Sequence, residues 1–238
     1  MKIALIGYGK LGRTVEALGL KRGHLFPLVI DVDNTGDLNA DNLHGIDAAI
    51  EFTTPASAPG NILSCIDLGI PVVSGTTGWN EALPEVEDQC LKKKGAFFYA
   101  SNFSIGVNIL FAMNRQLAKI MDRFPEYTVS MEEVHHIHKL DAPSGTAITL
   151  AEQIIREQAR VKSWSLDKQD DPSKLHIKAT MKGEVKGIHT IRYDCGLDSI
   201  SLGHTAKSRE VFATGALMAA AFIQGRTGLF GMSDLLNL

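Results

Sequence analysis

The stretch Lys2-Ile3-Ala4-Leu5-Ile6-Gly7-Tyr8-Gly9-Lys10-Leu11-Gly12 decides how the first half of the chain is read. A short apolar run leads directly into Gly-x-Gly-x-x-Gly, and a helical pattern over Lys10–Arg22 follows. Gly7 permits a tight turn, Gly9 lets a pyrophosphate approach the backbone, and Gly12 allows close packing of helix on strand. The helix start adds unpaired N–H groups and the positive end of a dipole. Asp31 ends the next apolar run nineteen residues after Gly12, where a carboxylate reaches the hydroxyls of an adenosine ribose. Together these predict dinucleotide binding; the competing reading is a glycine turn followed by an ordinary strand-end aspartate.

Further apolar runs at Pro27–Asp31, Ala48–Phe52, Pro71–Ser74 and Ala96–Ala100 alternate with helical stretches at Ser57–Leu68 and Glu81–Lys93. Gly23, Gly69 and Gly95 stand where helix ends are expected. Continuous apolar strands separated by helices imply a parallel sheet covered on both faces. After Asn102 the pattern changes. Long helices are expected over Ile105–Phe124 and Thr146–Arg160, a strand over Tyr127–His138, and a polar loop over Lys162–Lys174 containing Asp170-Asp171-Pro172. Strands at Leu175–Met181, Gly187–Tyr193 and Asp198–His204 then follow one another without helices, before a last helix at Arg209–Gln224. The expected fold class is α/β, a doubly wound Rossmann-type parallel sheet with a second α+β domain on a mixed or antiparallel sheet. The expected domains are residues 1–103 with 209–238 for the dinucleotide, and 104–208 for substrate and oligomerisation.

The chain has 238 residues, 45% hydrophobic and 21% charged, which suits a folded globular protein rather than a disordered one. Its net charge of -3 argues against a nucleic-acid partner. The longest apolar run, Ala216–Ile223, falls far short of the roughly 20 residues a membrane span needs, and the start lacks a signal-peptide core. Cys65, Cys90 and Cys195 are widely spaced, which suits reduced thiols in a cytoplasm.

Asp31 bears on the choice of nucleotide. A carboxylate there repels a 2′-phosphate, and Val32, Asp33 and Asn34 bring no cation to offset it. NADH is therefore favoured over NADPH, although Lys10 in the loop can reach a phosphate. Phe52-Thr53-Thr54-Pro55 and Gly75-Thr76-Thr77-Gly78-Trp79 follow later strands and are candidates for the nicotinamide side, or simply turns.

Three of the eight histidines crowd into Glu132-Glu133-Val134-His135-His136-Ile137-His138-Lys139-Leu140-Asp141-Ala142-Pro143-Ser144-Gly145-Thr146-Ala147. Strand alternation sets His135, Ile137 and Lys139 on one face and His136 and His138 on the other. On a straight strand His135 and Lys139 would be roughly 13 Å apart. The turn signal in Asp141-Ala142-Pro143 is expected to bring the ammonium back. Ser144 reads as a helix N-cap, so Ser144, Gly145 and Thr146 form an anion site beside the cationic His136 and Lys139. A histidine is the usual proton donor near neutral pH. Metal binding is the rival reading, but splayed histidines without a nearby cysteine make a poor ligand set, and no metal is expected. Half-buried sheet histidines beside a bare helix cap are the other rival.

The string His135 to Ala147 resembles the signature of the 4-hydroxy-tetrahydrodipicolinate (dihydrodipicolinate) reductase family of diaminopimelate and lysine biosynthesis. The likeness extends to the N-terminal glycine loop, Gly75–Gly78, Ser101–Asn108, Gly187–Thr190 and Arg209–Leu238. It implies that His135 is the proton donor and that Lys139 is the second catalytic residue. It also implies that His136, Ser144, Gly145 and Thr146 hold the carboxylates of a small dicarboxylate substrate. Gly75, Thr76 and Thr77, with Ala100, Ser101, Asn102 and Phe103, would contact the nicotinamide half of the cofactor. Homotetramers joined through the second domain's sheet are implied as well. The chain departs from the pattern in a shorter glycine loop, a compact Asn34–Asp47 segment and Ile137 where a basic residue is common. Two other activities remain open on the residues alone. One is an amino-acid dehydrogenase of aspartate or diaminopimelate type; the other is a catalytically silent NADH-binding protein.

Overall fold

Alternate residues of the first strand enter different cores: Ile3 and Leu5 join one hydrophobic cluster, Ala4 and Ile6 another. That is how a strand covered on both faces must behave. The computed structural model describes residues 1–139, 141–167 and 171–238. Leu140 of the histidine-rich run and Asp170 of the expected polar loop lie outside the described residues. The elements run β1 (Lys2–Ile6), α1 (Lys10–Lys21), β2 (Leu25–Ile30), α2 (Ala40–Leu43), β3 (Ala48–Glu51), α3 (Ala58–Asp67), β4 (Val72–Ser74), α4 (Leu83–Lys92) and β5 (Ala96–Tyr99). They continue as α5 (Ile105–Met121), β6 (Thr128–His135), α6 (Gly145–Glu157), β7 (Ser163–Ser165), β8 (Lys174–Met181), β9 (Ile188–Asp194), β10 (Ser199–Thr205), α7 (Glu210–Ile223), β11 (Gly228–Phe230) and α8 (Met232–Leu236).

The chain divides into two compact units, Met1–Ile105 with Glu210–Leu238, and Gly106–Arg209. In the first, six strands pair in the order β11-β5-β4-β3-β1-β2, all parallel. The cluster on one face takes Val15 from α1 and Ala213, Ala216, Leu217, Ala220 and Ile223 from α7. The opposite cluster takes Ile62 and Ile66 from α3 and Val86 and Cys90 from α4. Helix α7 is nearly all small or apolar because it lies close on the sheet. A Cβ at Gly215 would stand 1.9 Å from the carbonyl oxygen of Phe103, so only glycine admits that approach.

In the second unit five strands pair as β10-β9-β6-β8-β7. The sheet is mixed: β6 runs parallel to β8 and antiparallel to β9. Met131, Leu175, Ile177, Ile191 and Tyr193 pack from one face against Leu110, Ala118 and Met121 of α5 and Leu150, Ala151 and Ile154 of α6. Asn114, fully buried, bonds the Leu150 carbonyl at 3.0 Å and ties the two helices. The other face is polar, with Thr128, Glu132, Lys178 and Arg192 exposed. Among the described residues, no helix is long and apolar enough to cross a membrane.

Several boundaries differ from the sequence reading. β6 stops at His135 rather than His138, and His136–Lys139 forms a turn closed by Lys139 N–H on the His136 carbonyl at 3.1 Å. β7 lies within the stretch expected to be loop, and β11 and α8 follow the helix read as last. Gly23 and Gly69 leave their helices at φ 80° and 70°, as glycine caps do, but after α4 the left-handed residue is Lys94 at φ 52°, not Gly95.

Candidate active site

In the first unit a cleft opens at the carboxyl ends of β1, β2 and β3. Gly7 has φ 97°, and a Cβ on it would lie 2.0 Å from the Phe52 carbonyl oxygen. A Cβ on Gly12 would lie 2.2 Å from the Gly7 carbonyl oxygen. Above Gly9 nothing comes within 4 Å. Two glycines thus hold the turn tight against its neighbours, and the third leaves open backbone, which is the surface a pyrophosphate needs. Lys10 and Leu11 stand in the first turn of α1, whose N-cap Gly9 provides no side-chain bond to the helix N–H groups. A cleft of about 430 Å³ runs past Gly7, Gly9, Asp31, Phe52 and Thr53. The residues therefore fit a dinucleotide.

Asp31 lies on this cleft, and its backbone N–H donates to Asn34 Oδ1 at 2.8 Å. The Asn34 amide in turn donates to the Val29 carbonyl and to Asp37 Oδ2, both at 3.0 Å, fixing the turn after β2. Arg13, which sequence reasoning passed over, lies 4.7 Å over the Tyr8 ring and donates to the Tyr8 carbonyl. Gly75 has no room for a side chain: a Cβ would be 2.1 Å from the Phe52 ring and 2.7 Å from that of Phe103. Thr76 is buried, Ala100 N–H bonds the Ser74 carbonyl, and Asn102 Oδ1 accepts from Ser104 N–H. Phe103 is a core residue edge-on to Phe52, while Thr77 and Ser101 are exposed.

A second cluster of polar side chains lies within the second unit. Glu133 is 1% exposed at the centre of a network. Its Oε1 accepts from the Ser144 N–H at 3.0 Å, and its Oε2 lies 3.5 Å from both His135 Nδ1 and His189 Nε2. His189 Nε2 meets Ser144 Oγ at 3.1 Å, and Ser144 Oγ accepts from Ala147 N–H at 3.2 Å as the cap of α6. Strand register assembles this group, since Glu133 pairs directly with His189 across β6 and β9. Alternation then sets His135 on the same face as Glu133. Burial, chiefly, holds the His135 imidazole below the ordinary histidine value. The Glu133 charge opposes that shift, and His189, Lys139 and His136 add to it. For Glu133 burial pushes the pKa up, but His189 at 3.5 Å, the hydrogen bond from Ser144 and the nearby His135 outweigh it, and the carboxyl is held low.

Lys139 Nζ contacts both oxygens of Asp141 at 2.7 Å, with 18% of its side chain exposed. His136 Nε2 meets Arg209 at 3.2 Å, while His138 turns to Glu184 at 3.1 Å. Gly145 is exposed with no atom within 4 Å of a would-be Cβ, and Thr146 is half-buried. The structure thus gathers His135, His189 and Ser144 around Glu133, while Lys139 pairs with Asp141 and His138 stands apart. Three contributors were missed: Glu133, His189 and Arg209. Glu133 carried a signal, two positions before His135 on the same strand; His189 and Arg209 lay in segments of the family likeness, but nothing in the sequence tied them to His135 or His136. The ligand-capable atoms of Glu133, His135 and His189 lie within 4.8 Å of one another. This is a different set from the three neighbouring histidines weighed from sequence, and Ser144 already engages both Glu133 and His189.

Residues 1–103 match the family model described as dihydrodipicolinate reductase, N-terminus, and residues 106–236 match its C-terminus counterpart. A 4-hydroxy-tetrahydrodipicolinate reductase of Christiangramia forsetii is 46% identical, over 100% of this chain and 98% of that protein. One of Neisseria gonorrhoeae is 33% identical, over 94% of this chain and 84% of its own length. Among solved structures, a dipicolinate-bound dihydrodipicolinate reductase from Paenisporosarcina sp. TG-14 superposes with a TM-score of 0.80 at 21% identity, covering 98% of each chain. With both halves of the sequence matched and a relative of this identity along its whole length, the chain belongs to the dihydrodipicolinate reductase family.

Proposed function

We propose that this protein reduces 4-hydroxy-tetrahydrodipicolinate to tetrahydrodipicolinate, with the first unit holding the nicotinamide nucleotide and the second the dicarboxylate. The observation that carries the reading is the buried Glu133–His135–His189–Ser144 network beside the start of α6. It couples a proton-bearing imidazole to an anion-holding helix end. When bound, reduced nicotinamide supplies a hydride to the conjugated imine formed once water is lost. His135 gives the proton that quenches the charge this pushes onto the imine nitrogen, and Glu133 steadies the ring through Nδ1. Ser144, Gly145, Thr146 and His136 hold the carboxylates, Arg209 stands beside His136, and Lys139 offsets the negative charge. Gly7, Gly9, Lys10, Leu11 and Gly12 hold the pyrophosphate. Gly75, Thr76 and Thr77, with Ala100–Phe103, face the nicotinamide. The deciding experiment is steady-state reduction of freshly made 4-hydroxy-tetrahydrodipicolinate with each nucleotide. Absence of turnover, or oxidation of aspartate or diaminopimelate in its place, overturns the proposal.

NADH is the preferred nucleotide in this reading, because the Asp31 carboxylate lies on the cleft and Val32, Asp33 and Asn34 bring no cation to offset it. Asp31→Ala is expected to shrink the NADH-to-NADPH ratio of kcat/KM about tenfold by removing one like charge. An unchanged ratio assigns the preference elsewhere. The same reading makes the protein a cytoplasmic homotetramer assembled through the polar face of the second sheet. Light scattering should then return about four times the 25.8 kDa chain mass, and a monomer sinks that part of it.

A further inference from the structure

Glu51 has no part in the scheme above, although it is 0% exposed at the end of β3. Its Oε1 accepts from the Thr53 backbone N–H at 2.9 Å and from Thr76 Oγ1 at 2.8 Å, and the Thr53 hydroxyl bonds it too. Its Oε2 accepts from Ser74 Oγ at 2.6 Å. One carboxylate therefore ties the loop after β3 to the loop after β4. Among the described residues, no lysine, arginine or histidine pairs with it. Burying a carboxylate against neutral donors alone is costly, and a neutral amide could tie the same loops at lower cost. The negative charge itself needs a use.

We infer that Glu51 is a positioning and electrostatic residue whose fixed negative charge, on the nicotinamide side of the cleft, favours the oxidised cofactor and so strengthens the hydride donor. The inference rests on the reading that Thr53 and Thr76 line that side. Loss of hydride carries two electrons and one hydrogen from the neutral dihydronicotinamide to the substrate carbon, and the ring is left with one positive charge. A charge already held by Thr53, Ser74 and Thr76 needs no reorganisation as that positive charge grows. The same field shifts the equilibrium between bound NADH and bound NAD+ even without substrate.

The test is to titrate NADH and NAD+ separately into the wild-type protein, Glu51→Gln and Glu51→Asp, and to compare the ratio of their dissociation constants. In Glu51→Gln the NAD+ constant should rise about tenfold while that for NADH stays within about twofold. That factor is what one unit charge exerts over roughly 10 Å at an effective dielectric near 20. Glu51→Asp keeps the charge but draws it back by one methylene, so the ratio should move the same way by a smaller factor. It serves as the test on its own should Glu51→Gln fail to fold. An unchanged ratio overturns the inference, as does equal weakening of both nucleotides, which marks a purely structural tie. If the wild-type protein binds neither nucleotide, the assignment of the first unit fails instead, and the two failures are distinct.

Discussion

His135→Gln should lower kcat by about a thousandfold and leave KM nearly unchanged, the mark of a proton donor engaged in the transition state. Glutamine keeps the polarity and much of the volume of the side chain but has no proton to give near neutral pH. Steady-state kinetics with saturating nucleotide measures the effect. Retention of more than a tenth of wild-type kcat would remove His135 from the chemistry. The pH profile carries a second signature. Burial holds His135 below the ordinary histidine value in the free protein. Its charged form therefore persists only below that lowered value, and kcat/KM should fall as pH rises through it. A bound dicarboxylate favours the imidazolium, so the falling limb of kcat should lie at higher pH than that of kcat/KM. Coincident limbs would mean that the substrate's carboxylates do not act on this imidazole.

The second large effect concerns the glycine loop, where two substitutions separate folding from binding. Gly7→Ala places a methyl 2.0 Å from the Phe52 carbonyl oxygen in backbone of positive φ. It should cost on the order of 3 kcal/mol of stability, and NADH binding with it. Gly9→Ala meets no protein atom within 4 Å. It should fold as the wild type does while binding NADH roughly 10–100-fold more weakly, the worth of one or two charge-assisted hydrogen bonds. Thermal melts and fluorescence titration of the nucleotide check the pair. Full NADH affinity in Gly9→Ala would show that the pyrophosphate does not rest on this backbone.

The parallel sheet was legible because β1, β3, β4 and β5 are short, predominantly apolar runs with helices between them, as expected when both faces are covered. α2, β7, β11 and α8 were missed because they are too short to display a period and, unlike the equally short β1, β3, β4 and β5, do not stand in a regular alternation of apolar runs and helices. β11 exists because its backbone groups complete the edge of β5, and no local pattern announces such a pairing. At the site, His135 and Ser144 lie nine positions apart and could be linked along the chain. His189 arrives from a strand more than fifty residues later through its register opposite Glu133. Glu51 was hidden differently. A lone acid inside an apolar run looks like a strand end, and its value depends on hydroxyls from the next strand and loop that bond it.

The first sheet is closed by segments that follow the second unit in sequence: α7 covers one of its faces, and β11 lies along β5. A ribosome emits Ile3, Leu5, Val73 and Phe98 well before Ala216, Leu217 and Ile223, their neighbours in the same cluster, exist. Until α7 has been translated, only α1 covers that greasy surface. Nascent or truncated polypeptide lacking these segments should therefore depend on holdase chaperones, and release from them should follow translation of α7 and β11 rather than of the first hundred residues.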